Sequence, residues 1–365
     1  MSLRALVIAA VVLAVVAWAV YATTRPDPVV EASATWAESG HADRTSVAFT
    51  HWDEDEPPVI PPNCAACHSL NGFVDWLGED GTPAGTVEAP HPIGSVVSCL
   101  ACHNDAAHTL QTVEFPSGAK AGVLDQEGPC LKCHQGLRST EDVEEAIAGL
   151  DLDAVSEDLS FVNVHYFVAA ATLMGGDARG AYQYDGATYA GRFMHVSDLR
   201  TCNQCHDPHS LLQNPQECSP CHLNVVDRGD FVDIREGAVD YDGDGSADEG
   251  IALEILDMHR QVYLGLQAYA REVIGTPLVY QAGTFPYFFV DTNDDGLPQA
   301  EETVFANQYS TWTPRALRVA YNYHMVYVDP GAYAHNARYT LQYLYDNLQD
   351  LSEVVSVPVD AMTRP

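Results

Sequence analysis

Apolar residues recur at helical spacing in three long stretches near the C-terminus: GIALEILDMHRQVYLGLQAYAREVIG (250–275), TWTPRALRVAYNYHMVYVD (311–329) and GAYAHNARYTLQYLYDNLQDL (331–351). Each is long enough to bury one face against the others, so three packed helices are predicted there. Earlier, STEDVEEAIAGL (139–150) opens with a Ser139/Asp142 capping signal and reads as a short helix. FVNVHYFVAAATLMGG (161–176) reads as a helix stopped by Gly175 and Gly176. AYQYDGATYA (181–190) alternates aromatic and small residues around Asp185-Gly186, which predicts a β-hairpin. Outside these stretches the chain between 64 and 222 lacks periodicity and is expected to be mostly loop.

The first 22 residues differ in kind. Arg4 precedes Ala5–Ala22, an uncharged run of 18 residues with small residues suited to cleavage. It reads as an export signal or, uncleaved, an N-terminal anchor. Either way the chain is expected outside the cytoplasm, periplasmic or at the cell surface. Residues 23–48 are polar and acidic and read as a linker.

Cysteines change the picture of the middle. All ten fall in five identical patterns, C-x-x-C-H: Cys64/Cys67/His68, Cys99/Cys102/His103, Cys130/Cys133/His134, Cys202/Cys205/His206 and Cys218/Cys221/His222. An exported chain with ten cysteines would ordinarily pair them as disulfides. A histidine in the fifth position every time points instead to c-type haem attachment. Two cysteines three apart reach two vinyl groups on one porphyrin edge, and the next residue lies under the iron. Five covalently bound haem c groups between residues 64 and 222 leave too little chain to wrap each separately, so the haems themselves are expected to form that core. The fold class is therefore mainly α with extensive loops, a haem-packed region with a short β-hairpin and a helical C-terminal region. The organisation reads as 1–22 signal or anchor, 23–48 linker, 49–222 pentahaem region and 223–357 haem-free helical region.

Five motif histidines leave ten others for at most five further axial positions. His209 lies three residues after His206. A span of about 10 Å cannot pass round a haem edge and return to its opposite face. If His209 is a ligand, it serves a different haem from the one on His206. His165 on the alanine-rich segment, His195 after the hairpin, His335 at the start of the last helix and His51 before the first motif are the other distal candidates. His91 and His108 stand in reserve. His259 and His324 lie within amphipathic helices and read as packing residues, and His41 falls in the linker.

Two acidic loops carry different chemistry. DTNDDGLPQAEE (291–302) matches a twelve-position calcium loop, with Asp291, Asn293, Asp295, Leu297, Gln299 and Glu302 as ligands and Gly296 at the turn. DYDGDGSADEGI (240–251) offers Asp240, Asp242, Asp244, Ser246 and Asp248, but its twelfth position is Ile251, so Glu249 or a residue elsewhere must close it. One or two structural calcium ions are expected.

Charge narrows the partners. The 365 residues carry 51 acidic and 17 basic side chains, a net charge of −34. Such a field repels nucleic acid and anionic lipid, excludes a nucleic-acid partner and favours cations, basic proteins or a high-salt milieu. Membrane contact is expected only through an uncleaved N-terminal segment.

The blocks FTHWDEDEPP, VVSCLACHND, VEFPSG, CLKCHQG, VNVHYFVAAATLMGG, GAYQYDGATYAGRFMHV, TCNQCHDPHS, VDYDGDG, FPYFFVDTNDDG and AYAHNARYTLQYLYDNL resemble the multihaem c-type cytochromes of extracellular respiration, broadly the cytochrome c3-like polyhaem group. They cover most of residues 47–350. The resemblance implies stacked haems with bis-histidine ligation and, by motif, distal ligands His51, His165, His195, His209 and His335. It implies an electron carrier rather than an enzyme, with other cytochromes or redox proteins as partners. Self-assembly into a filament is a sharper variant. The alternative is a multihaem oxidoreductase in which one open haem reduces a small nitrogen or sulfur oxyanion. A third reading is a haem-bearing scaffold whose haems need not touch. The irregular motif spacing and long haem-free region depart from a small four-haem cytochrome c3.

Overall fold

The computed structural model describes residues 12–14, 18, 27–235 and 237–365. The N-terminal signal or anchor expected over 1–22 lies outside these apart from four residues. Among the described residues the protein is helix-rich, with three two-stranded antiparallel sheets.

Its helices divide by length. α1 is Pro28–Ala37. The motif-bearing part carries short helices, among them α2 Pro62–His68, α3 Leu70–Trp76, α4 Cys99–Cys102, α5 Gly128–Cys133, α6 Thr140–Ile147, α7 Ala169–Met174 and α8 Cys202–Cys205. The C-terminal part carries α9 Ile251–Tyr269, α10 Pro314–Tyr327 and α11 Ala332–Ser352. These last three lie where the apolar spacing places them. Thr313 caps α10 by accepting from the Ala316 amide, and Gly275, at φ +79°, ends the turn that follows α9. The strands are β1 Val59–Ile60 with β2 His91–Pro92, β3 Thr112–Glu114 with β4 Lys120–Gly122, and β5 Leu278–Tyr280 with β6 Phe288–Val290.

The main core joins α9, α10 and α11 to the motif-bearing part. Trp312, Tyr269, Tyr321, Tyr339 and Tyr343 are fully buried and pack in one cluster with Leu131 of α5, Val143 of α6 and Met174 of α7. Burying each large side chain stabilises the fold by about 1.5–3 kcal/mol. Buried phenols are mostly partnered: Tyr269 donates to Asp153 at 2.8 Å and Tyr321 to the Gly180 carbonyl at 2.7 Å. Arg315, 2% exposed, ion-pairs with Asp153, Asp350 and Glu353, tying α10 to α11. Two satellite clusters lie around the first two motifs, one of Phe73, Leu77, Ala101 and Ala107, the other of Trp52, Ile60 and Ala65.

Three expectations need correction. The hairpin over 181–190 is absent. The segment lies instead as a strap along α10 and α11, and side chains of those helices satisfy it in place of a strand ladder. The Tyr182 amide donates to Asn322 Oδ1 at 2.7 Å, the Ala190 amide to Gln342 Oε1 at 2.7 Å and the Tyr189 hydroxyl to Asp346 at 2.6 Å. The helix expected over 161–176 is confined to α7. Residues 163–168 form a loop in which His165 (φ +88°) and Phe167 (φ +51°) adopt left-handed backbone. Tertiary bonds hold that loop against helix propensity: the Leu137 amide donates to the Val164 carbonyl and the Ala170 amide to the His134 carbonyl, each at 3.0 Å. Finally, part of the expected linker is helical and fixed. Asp27 caps α1 by accepting from Val29, and Trp36 Nε1 donates to the Val97 carbonyl at 2.9 Å.

Candidate functional site

The motifs share one local geometry. A helical turn places positions i and i+3 on one face. In motifs two to five the histidine amide then donates to the first cysteine's carbonyl, at 2.8 Å for His103, 2.9 Å for His134, 2.8 Å for His206 and 3.0 Å for His222. Caps start these turns: Thr201 and Gln204 form a capping box around α8, and Pro129 occupies the first turn of α5. One cavity of about 1180 Å³ is touched by cysteines from all five motifs, among them Cys67, Cys102, Cys133, Cys205 and Cys221. The motifs also approach each other. Cys67 lies beside Cys133, and Cys130 beside Cys202, near enough for each pair to shift one another's thiols. Cys102 lies close enough to Cys130, and Cys205 to Cys218, for each thiol to be pushed up by its neighbour in addition to burial.

Each motif histidine faces a second imidazole. His68 faces His165 at 5.8 Å between ring centres, His103 faces His209 at 6.2 Å, His134 faces His41 at 6.4 Å, His206 faces His335 at 6.4 Å and His222 faces His195 at 6.0 Å. Two imidazole nitrogens each about 2 Å from one metal ion hold their ring centres about 6 Å apart. The five pairs, each beside its own cysteine pair, therefore fit a bis-histidine haem c at every motif. The donor set fits as well, since a ligating histidine must be neutral. Burial, then the neighbouring His134, brings His41 down to about 4. Burial, then His68 and His51, brings His165 down to about 4.

Backbone and carboxylate partners orient these rings. Nδ1 of His68 meets the Ala48 carbonyl at 2.7 Å, that of His134 the Phe167 carbonyl at 2.9 Å and that of His206 the Leu211 carbonyl at 2.9 Å. Such a bond leaves Nε2 for a metal. The strained loop at 163–168 does two jobs: it aims His165 at His68 and supplies the Phe167 carbonyl to His134. His335 differs from the rest. Its Nδ1 meets the Asp329 carboxylate at 2.8 Å, and although burial opposes a charge there, that carboxylate leaves the imidazole raised. Gly331 makes room for this ring, because a Cβ there would lie 2.7 Å from His335 Cε1. A non-helical residue, Asn336, then kinks α11 directly after His335.

The remaining histidines lie elsewhere. His51 is exposed, sets its ring edge-on to Trp52 at 4.8 Å, and lies near enough to His68 and His165 to help lower both, without stacking on either ring. His91 Nε2 is bonded to Asp75 at 2.9 Å. His108 lies 6.2 Å from His103 and so competes with His209 for that motif. His259 bonds the Tyr323 carbonyl and His324 bonds Tyr280 and Asn163, both within the main core. His41 is the residue the sequence reading passed over. The Asp27-Pro28 helix start was its available signal, because a capped helix ahead of His41 argues against a linker.

In the acidic loops, Asp240 accepts from the Gly243 amide at 2.6 Å and the Gly245 amide at 2.8 Å, while Asp242, Asp244 and Glu249 gather together. Burial, with Glu254, Asp244 and Glu249 nearby, pushes the Asp242 carboxyl up to about 7. In the second loop Asp291 accepts from Gly296 at 2.8 Å, Asn293 and Gln299 bond Asp295, and Glu302 Oε1 accepts from Thr292 at 2.7 Å. The Leu297 amide donates to Asp295 at 2.9 Å, and Ser246 Oγ donates to Asp248 at 3.1 Å. Among the described residues no helix is long and apolar enough to cross a membrane.

The chain is similar to the C-type polyheme cytochrome OmcB of Geobacter sulfurreducens, 23% identical over 368 residues, covering 84% of this chain and 46% of that protein. It is 24% identical to the C-type polyheme cytochrome OmcC of the same organism, covering 85% of this chain and 45% of that one. The chain thus spans about half the length of the curated relatives it matches. No family model and no solved structure matches. With the five motifs, the similarity supports reading the chain as a multihaem c-type cytochrome.

Proposed function

We propose that the chain is an exported electron carrier holding five haem c groups, each tethered by one C-x-x-C-H motif and ligated by two histidines. The observation that carries this reading is the set of five facing imidazole pairs: His68 with His165, His103 with His209, His134 with His41, His206 with His335 and His222 with His195. Bound haem iron supplies reversible one-electron exchange, tuned by its axial ligands and burial. The chain's own residues position it: the cysteines tether, the imidazoles face each other, and carbonyls or Asp329 orient the rings. His209 is preferred to His108 at His103, since His108 follows His103 too closely in sequence to reach round a porphyrin.

Neighbouring thiols support an order of motifs: the first beside the third, the third beside the fourth, the fourth beside the fifth, with the second beside the third. The short stretch from His206 to His209 ties the fourth motif to the second. Partners are other cytochromes or redox proteins of basic surface, complementing the net charge of −34. A haem chain extended between copies in a filament is the sharper form of this proposal. The test is electron paramagnetic resonance on the purified protein, together with a haem count. Five haems per chain, all low-spin, is the expected result; a high-spin fraction in the untreated protein would mean an open iron and a reductase instead.

A further inference from the structure

We propose that the loop following the motif-bearing part holds a structural calcium ion between Asp242, Asp244 and Glu249. One carboxylate oxygen from each lies within 4.8 Å of the others. Two of the oxygens present are telling: Asp242 Oδ2 and Glu249 Oε1 are buried without a hydrogen-bond partner among the described residues. Asp242 is only 7% exposed. A buried carboxylate oxygen without a donor is costly unless a cation meets it. The donor set is all oxygen and triply anionic, which suits a hard divalent cation with a flexible shell, hence calcium before magnesium.

The surrounding residues build the cradle rather than fill it. Glu254 is fully buried but already satisfied, accepting from Arg235 at 2.6 Å, from the Tyr241 amide at 2.8 Å and from the Asp242 amide at 3.0 Å. Asp240, expected from the spacing to ligate, accepts from the amides of Gly243 and Gly245 and gathers instead with Asp242 and Glu254. Glu249 thereby takes the closing role that Ile251, the first residue of α9, cannot. The loop also meets the C-terminal tail: a Cβ at Gly243 would lie 2.5 Å from the Ala361 carbonyl, and the Thr363 amide donates to Tyr241 at 3.0 Å. An ion here would lock the connection leaving the fifth motif onto α9 and the tail.

The loop at 291–302 carries the same proposal on its own observation. Glu302 stands in the twelfth position, is 4% exposed, and its Oε2 is buried without a hydrogen-bond partner among the described residues. Asp291 in the first position is 3% exposed.

The test is calcium titration calorimetry on the full holoprotein after dialysis against a chelator, with bound metal counted by elemental analysis. Two calcium ions per chain are expected, and one after either Asp242→Asn or Glu302→Gln. Asp244→Asn and Asp295→Asn, at exposed residues, serve as second variants should the buried ones fail to fold. No calcium bound at millimolar concentration, or unchanged stoichiometry in the variants, overturns the assignment. Magnesium binding as tightly as calcium overturns the choice of ion. Because the readout is bound calcium, the result is independent of the haem reading.

Discussion

The imidazole of His41 faces that of His134 across 6.4 Å, although one lies in the acidic N-terminal stretch and the other in the third attachment motif. Two bonds bring them together: Trp36 Nε1 to the Val97 carbonyl at 2.9 Å and Arg44 to the Gly94 carbonyl at 2.6 Å fasten residues 36–44 beside the second motif. His41→Ala is therefore expected to convert one haem in five to high-spin, while His51→Ala leaves all five low-spin. Electron paramagnetic resonance of the two variants decides between them, and the reverse outcome would reinstate His51.

His209 and His108 lie equally far from His103. Loss of His209 is expected to open the site on Cys99 and Cys102 and leave the one on Cys202 and Cys205 capped. His108→Ala should change neither. Proteolysis into single-motif haem peptides, with spectroscopy after site-selective ligand binding, identifies which site opened.

Asp329 gives His335 a partner that the other oriented imidazoles lack, a carboxylate in place of a carbonyl. An anionic acceptor raises ligand basicity and favours the oxidised metal. Asp329→Asn should raise the potential of the site on His206 by roughly 60–120 mV, taking a 10–100-fold outer-sphere effect at about 59 mV per tenfold. A redox titration showing all five potentials unmoved would refute this role.

Gly331→Ala tests the same ring by crowding. The added Cβ would meet His335 Cε1 at 2.7 Å, so the imidazole must turn away. Expected are a new high-spin signal and unchanged helical circular dichroism, since Gly331 precedes α11 at φ −94° and tolerates alanine in its backbone.

Arg315 is buried among Asp153, Asp350 and Glu353. Its replacement by methionine leaves Asp350, which Arg318 also contacts, inadequately paired in a dry core. A loss of about 3–5 kcal/mol is expected in denaturant unfolding followed by far-ultraviolet circular dichroism. A loss below about 1 kcal/mol would show that water reaches this cluster.

How much was legible varies with the range of the interaction. α9, α10 and α11 were readable because an apolar stripe at helical spacing is a property of consecutive residues. So was α6, whose Ser139/Asp142 capping box closes within four residues. The strap at 181–190 was not, because its alternation suits a hairpin, yet Asn322, Gln342 and Asp346 from distant helices outcompete strand pairing. His165 was read as helical for a similar reason: its left-handed backbone is set by contacts to Leu137 and His134 that no local pattern announces.

The sequence by itself determined the five C-x-x-C-H motifs, because two cysteines and a histidine within five residues share one helical turn whatever surrounds them. It also determined the acidic surface and the three long helices. Only the tertiary structure decided which imidazole faces which, and which carboxylates close the loop before α9. A facing pair spans two segments unrelated in sequence, so its geometry exists only after both have packed against the same core.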